Sequence, residues 1–150
     1  MNLNIELHKG IGDIRFGMTL DEVKTLLKVH HTNEKHYTMK EEDSEDAMGV
    51  EETVLDYTID NDEFVNLQFH FHKSNDRLIN ICAMGDGVTL FDEEMFDIDL
   101  QELESILETN GLDDIEKERE PWGDITFISE IGNIDIFCDE IGISEISFGE

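Results

Sequence analysis

Two amphipathic segments of this chain carry matching residues at matching steps, eighty positions apart, and that repeat limits the fold more than any other feature. In the first, Thr19-Leu20-Asp21-Glu22 sets a Thr N-cap three residues ahead of a Glu, a capping box in which each side chain satisfies an amide the first turn leaves open. Leu20, Val23, Leu26 and Leu27 then fall on one face of a helix predicted to end near Val29. In the second, Asp99-Leu100-Gln101-Glu102 repeats the cap spacing. Leu100, Leu103, Ile106 and Leu107 repeat the face, and Asn110-Gly111 supplies a left-handed stop. Phe16 and Phe96 keep the same offset upstream. The strand patterns repeat too. Asp56-Tyr57-Thr58-Ile59 answers Asp124-Ile125-Thr126-Phe127 at 68, and Asn66-Leu67-Gln68-Phe69 answers Asn133-Ile134-Asp135-Ile136 at 67. Leu78 and Ile81 answer Ile143 and Ile146 at 65, so the second copy has the shorter loops.

A chain of 150 residues therefore reads as one domain built from two repeats, about 1–86 and 87–150. Each repeat is predicted as a helix followed by three strands, with the segments Ile11 to Phe16 and Val88 to Phe91 available as a fourth. Consecutive strands joined by short turns pair antiparallel. The expected fold is α+β: two similar helix-plus-antiparallel-sheet halves forming one continuous sheet with the helices on one face. The segment from His30 to Glu52 lacks a strong period and reads as a loop with a short helix. Its acidic run from Lys40 to Asp46 is either a solvated face or an arm for a basic partner.

Alternation assigns the faces. Leu55, Tyr57, Ile59, Leu67, Phe69, Phe71, Ile79, Ile81 and Ala83 should face the helices in the first half. Ile125, Phe127, Ile134, Ile136, Ile146 and Phe148 should do so in the second. The open face then carries Asp56, Asn66, Gln68, His70, His72, Asn80, Cys82 and Met84 from one half. Trp122, Asp124, Thr126, Ile128, Asp135, Phe137, Asp139 and Glu145 come from the other. One solvated side of an antiparallel sheet is expected to be polar. Large aromatics set among its carboxylates are the make-up of a protein-binding surface.

Charge excludes whole classes of partner. Thirty-eight Asp and Glu against ten Lys and Arg leave a formal charge of −28. Nucleic-acid affinity comes largely from Lys and Arg neutralising phosphates, and anionic membranes are held by the same residues, so neither is expected as a partner. With 39% hydrophobic residues and nine Phe the chain has material for a core despite its charge. The self-repulsion costs stability and points to a partner that relieves it. The opening residues have neither the basic stretch nor the apolar run of a signal peptide, which reads as cytoplasmic. Cys82 and Cys138, with no CxxC, read as reduced thiols.

The sequence carries none of the common catalytic or metal signatures. There is no HExxH, Walker loop or GxGxxG. Asp60-Asn61-Asp62-Glu63, Asp92-Glu93-Glu94 and Asp113-Asp114 lack EF-hand spacing. His70 and His72 project to one side of a strand, as two metal ligands would, but no third ligand is readable. Neither cysteine stands in a nucleophile pattern, and no serine sits in a GxSxG elbow. No cofactor, no metal and no catalysis are expected.

The stretch Gly12-Asp13-Ile14-Arg15-Phe16-Gly17-Met18-Thr19-Leu20-Asp21-Glu22-Val23 resembles the F-G-M-[ST]-x-x-E-V opening of a bacterial helix-plus-sheet module. That module occurs in small outer-membrane lipoproteins of the β-barrel assembly machinery, and in tandem it makes the β-lactamase inhibitor protein fold. In the second half Asp97-Ile98-Asp99 stands where the motif has Gly-Met-Thr. The resemblance implies a protein-binding scaffold that uses its sheet face without catalysis. Without a signal, a lipid-bearing cysteine or the inhibitor's four cysteines, the chain is more similar to cytoplasmic immunity proteins. That similarity implies as partner a basic toxin domain, a nuclease as many such toxins are, whose active site would be blocked. Trp122, Phe137 and Met84 are the expected anchors. Asp56, Asp124, Asp135, Asp139 and Glu145 are expected to set rate and specificity, with His70 and His72 in the same contact set. An adaptor of other partnership, or an acidic cation-responsive module, is the alternative.

Overall fold

The computed structural model describes residues 2–27, 33–40, 51–60, 64–72 and 75–150, with the side chains of 33–40, 51–53, 55–60 and 64 outside that description. Among the described residues the fold is α+β, with two α-helices and two sheets. Helix α1 spans Leu20–Leu27 and α2 spans Leu100–Thr109. The reciprocal cap is present at the first: the Glu22 amide donates to Thr19 Oγ1 at 3.3 Å, and the Thr19 amide donates to Glu22 Oε1 at 3.4 Å. At the second, Asp99 Oδ1 accepts from the Glu102 amide at 2.8 Å. Val23 and Leu27 of α1 and Leu103 and Leu107 of α2 are buried, while Leu20, Leu100 and Ile106 are partly covered; Leu26, expected on the buried face, is instead exposed at the border of that stripe. The expected end of α1 near Val29, and the acidic run over 41–46, lie outside the described residues.

The strands divide between two sheets, which corrects the expectation of one. The short strands β1 (Asn4–Glu6), β2 (Gly10–Ile11), β3 (Ile14–Arg15), β8 (Thr89–Leu90) and β9 (Glu93–Glu94) form a five-stranded sheet of order β3-β2-β1-β8-β9. Its β1–β8 pair is parallel and joins Asn4 and Ile5 to Thr89 and Leu90. The other sheet has eight strands: β4 (Asn33–Lys40), β5 (Glu51–Asp60), β6 (Phe64–His72), β7 (Arg77–Gly85), β10 (Glu116–Arg119), β11 (Ile125–Ser129), β12 (Ile134–Cys138) and β13 (Ile143–Gly149). Its order is β10-β11-β12-β13-β7-β6-β5-β4. Each helix is thus followed by four strands, not three. The two unforeseen strands, β4 and β10, are the sheet's edges. Asn-Glu-Lys-His-Tyr-Thr-Met-Lys and Glu-Lys-Glu-Arg lack the apolar alternation that marks a half-buried strand, because an edge has less core to face. The segment read as a loop is therefore strand over Asn33–Lys40.

Backbone register aligns the two sets of strands more closely than residue identity does. A β-bulge sits between His70 and Phe71 opposite Asn80 and Leu78, and another between Phe137 and Cys138 opposite Glu145 and Ile143. These positions match at the offsets 67 and 65 read from the sequence. The extra residue in each case belongs to the later strand. It puts Leu78 rather than the expected Ile79 into the core, and leaves Ile79 only partly covered. The pairs Leu55↔Phe69 and Phe127↔Ile136 occupy equivalent places, so β5 and β11 are offset by 72 and not 68. That correction moves the match by an even number, so no residue changes face.

One hydrophobic cluster joins both helices to the sheet's inner residues, among them Leu67, Phe69, Ile81, Ile136, Ile146 and Phe148. The Phe-Gly-Met segment that precedes α1 is fixed to the start of β7. The Gly17 amide donates to the Leu78 carbonyl at 2.9 Å, and the Leu78 amide donates to that of Met18 at 2.8 Å. Phe16 meets Phe148 edge-on, with ring centroids 6.0 Å apart. Gly10 has φ near +150°, and a Cβ there would lie 1.9 Å from the Ile14 carbonyl oxygen. No helix among the described residues is long and apolar enough to cross a membrane.

Two stability changes follow. Asp99→Ala should cost about 1 kcal/mol through the lost cap, and Gly10→Ala about 1–3 kcal/mol through backbone strain. Both are read as lower urea midpoints; an unchanged midpoint for Gly10→Ala would contradict the tight turn.

Candidate protein-binding face

Because Leu67, Phe69, Ile81, Ala83, Ile134, Ile136, Ile146 and Phe148 point into the core, the residues between them project from the opposite side of the sheet. Register lays these out in rows. Ile128, Asp135, Ser147, Cys82 and Gln68 stand side by side across five strands. In the next row Phe137 lies between Thr126 and Glu145, and Met84 pairs with Asn66. Along β12, Phe137 therefore has Asp135 two residues before it and Asp139 two residues after it.

The two ends of the open face differ. In the first half Val54, His70 and Cys82 are buried, although they project away from the helices. His70 Nε2 lies 3.8 Å from Cys82 Sγ, and Asn80 Nδ2 donates to Ser147 Oγ at 3.1 Å. In the second half Asp124, Thr126, Ile128, Asp135, Phe137, Glu145 and Ser147 are all partly open to solvent. Asn66, Gln68, His72, Asn80 and Met84 of the first half are partly open as well, so among the described side chains what sets the second half apart is its carboxylates.

Charge is sorted there. Lys117 and Arg119 are the only Lys or Arg after Arg77. Both stand at positions of edge strand β10 opposite Phe127 and Ile125, on the helix side. Lys117 is ion-paired with Glu104 of α2, and its ammonium lies 5.7 Å from the Phe127 ring centre. The alternate residues, Glu116 and Glu118, pair with Ile128 and Thr126 on the open side. One consequence appears at Asp135. Burial, and then the charge of Glu118, raise its carboxyl above the ordinary carboxylate range. Asp114 behaves oppositely. It accepts from the Ile131 amide at 2.9 Å and from Ser129 Oγ at 2.7 Å, and these bonds lower its pKa.

Trp122 is 67% exposed in the β10–β11 turn, its Nε1 donating to Asp124 Oδ2 at 2.8 Å. Of the residues singled out in the sequence, Trp122, Asp124, Asp135, Phe137, Asp139 and Glu145 are brought together around β11–β13. Met84 lies beyond them, partly exposed, on β7. His70 is buried beside Cys82, and His72 is partly exposed farther along β6. Asp56 pairs with Gln68 in register, and its side chain is outside the description. Sequence reasoning missed Ile141, 96% exposed in the β12–β13 turn; an Ile inside the turn-forming run Asp139-Glu140-Ile141-Gly142 was the available signal. Both cysteines are buried and neither is in a disulfide. Cys138 lies in the core, where burial, and then Asp139, push its thiol up to about 11. Among the described residues no three His, Cys, Asp or Glu are grouped to hold a metal ion. Comparison with protein-family models, curated proteins and solved structures finds no match to this chain.

The two shifted carboxylates give a pH test. Because the folded state raises the pKa of Asp135, its ionisation opposes folding: any benefit holds below about pH 3.8 and is lost as pH rises through the folded value. Asp135→Asn should therefore raise the melting temperature at pH 7 and lose that advantage near pH 3. Asp114 has the reverse sign. Its contribution is present above 3.8 and disappears as pH falls through its lowered value, so Asp114→Asn should lower the melting temperature at pH 7. A fall in melting temperature for Asp135→Asn at pH 7 would contradict the charge repulsion described.

Proposed function

We propose that this protein is an immunity-type inhibitor that binds a basic toxin domain, a nuclease by similarity to the targets of such inhibitors, and covers its active site without catalysis of its own. The supporting observation is the charge sorting of the second half. Its two basic side chains stand on the helix side, while Asp124, Asp135, Asp139 and Glu145 share the open side with Phe137. Such a surface attracts a cationic protein over distance, at rates that reach ~10⁸–10⁹ M⁻¹s⁻¹ at low salt. An interface of roughly 1,600 Å² is enough to block a substrate groove.

The two halves are read as copies of one helix-and-sheet unit, which gives a broad sheet face with little loop to order on binding. The edge strand β10 is unsuited to strand addition, since all four of its residues are exposed and charged. Contact through the face is the better solution. The reading places the protein in the cytoplasm, where an inhibitor meets a toxin that has entered the cell.

The test is to mix the purified chain with the product of an adjacent gene, chosen for a basic C-terminal domain, at 0.1 M and 0.5 M salt. A complex that associates more slowly at the higher salt is expected. Phe137→Ala should speed its dissociation by about 30-fold while leaving the circular dichroism unchanged. Absence of a complex at both salts would remove the proposal.

A further inference from the structure

Trp122 and Ile141 are the two most exposed large apolar side chains among the described residues, 67% and 96%. Strand register brings them to the same border of the sheet. Ile125, which follows the β10–β11 turn, pairs with Cys138, which precedes the β12–β13 turn. The two turns thus stand side by side, about two strand spacings or roughly 10 Å apart.

Each turn is held closed by hydrogen bonds. The Glu120 amide donates to the Asp124 carbonyl at 2.8 Å, and that of Gly123 to the Glu120 carbonyl at 3.0 Å. Asp124 also fixes the indole through its N–H. In the second turn Asp139 Oδ1 accepts from the Ile141 and Gly142 amides, at 2.8 and 3.1 Å, and the Asp139 amide donates to the Gly142 carbonyl at 2.9 Å. The apolar groups are therefore presented to water by well-bonded backbone. Presenting them this way leaves little ordering to be done on binding. The remaining side chains of the two turns include Glu120 and Glu140, so the apolar pair is set among four carboxylates with no cation in either turn.

We infer that these two turns form the anchor of the interface, Trp122 and Ile141 entering an apolar depression on a partner protein whose rim is rich in Lys and Arg. The apolar pair calls for a depression, and the carboxylates around it call for a basic rim. A polyanion or an anionic membrane is repelled by the same groups. The inference rests on the binding reading above and sharpens it, moving the anchor from the middle of the face to its border.

Trp122 is the only tryptophan in the chain, so its emission reports this site directly. The complex with the neighbour-encoded basic domain, prepared with that domain's own tryptophans replaced by Phe, should show a blue-shifted Trp122 emission and reduced acrylamide quenching. In the double variant Trp122→Ala with Ile141→Ser, checked for fold by circular dichroism, the Kd should rise by at least about 30-fold. Trp122→Phe should recover most of the loss. If the domain binds but Trp122 stays fully quenchable, or the double variant binds like the wild type, the inference fails while the binding reading stands. If no complex forms, the reading fails by its own test and this inference with it. A concentration-dependent shift of Trp122 in the chain alone would make the patch a self-association surface, which also overturns the inference.

Discussion

The antiparallel pairing of Ile143–Gly149 with Arg77–Gly85 is the contact on which the rest of the molecule depends. It places Phe148 beside Ile81 and Ile146 beside Ala83, so that side chains from distant parts of the sequence share one core. On the other face it sets Ser147 beside Cys82, and the Asn80–Ser147 hydrogen bond spans the same seam. The Phe-Gly-Met segment acts from the first strand of that seam: its backbone bonds to Leu78 hold α1 against the sheet, and Phe16 reaches Phe148. A motif that looks like a family signature thus has a local mechanical task in this chain.

What was legible in the sequence is what obeys a period. The helix caps at Thr19 and Asp99, the buried Val23, Leu27, Leu103 and Leu107 of the helices and the inward residues of β6 and β12 follow from spacing alone; Leu26, which shares that period, lies exposed at the edge of its stripe. The edges were not legible, because Asn33–Lys40 and Glu116–Arg119 have no apolar alternation to detect. Ile79 was misassigned because a bulge breaks strict alternation. The three-residue step from Leu78 to Ile81, repeated from Ile143 to Ile146, was the trace of that bulge in the sequence. The division into two sheets depends on pairings such as β1 with β8, which join residues some 85 positions apart and leave no local mark. Of the candidate site, the acidic and aromatic residues were found by face, but their grouping needed register. The burial of His70 beside Cys82 and the exposure of Ile141 needed coordinates.

Electrostatics and packing serve different ends in this molecule. The core would be much the same if the open face were neutral, since that face projects away from it. Its carboxylates repel one another, as the Asp135–Glu118 pair shows, and the two nearest bases stand on the far side of the sheet. Such an arrangement lowers the stability of the isolated fold and strengthens its attraction to positive charge. In the first half Val54, His70 and Cys82 are buried on that same side.

The late place of β13 in chain order also governs when the large sheet can be completed. Strand β7 can pair with β6 as soon as both are made, yet its other edge meets its partner only once β13 has been synthesised. Until then that edge presents unpaired amides and carbonyls to which another chain can add. Chains cut before Ile143 would keep an open, sticky border rather than form a shorter version of the same fold.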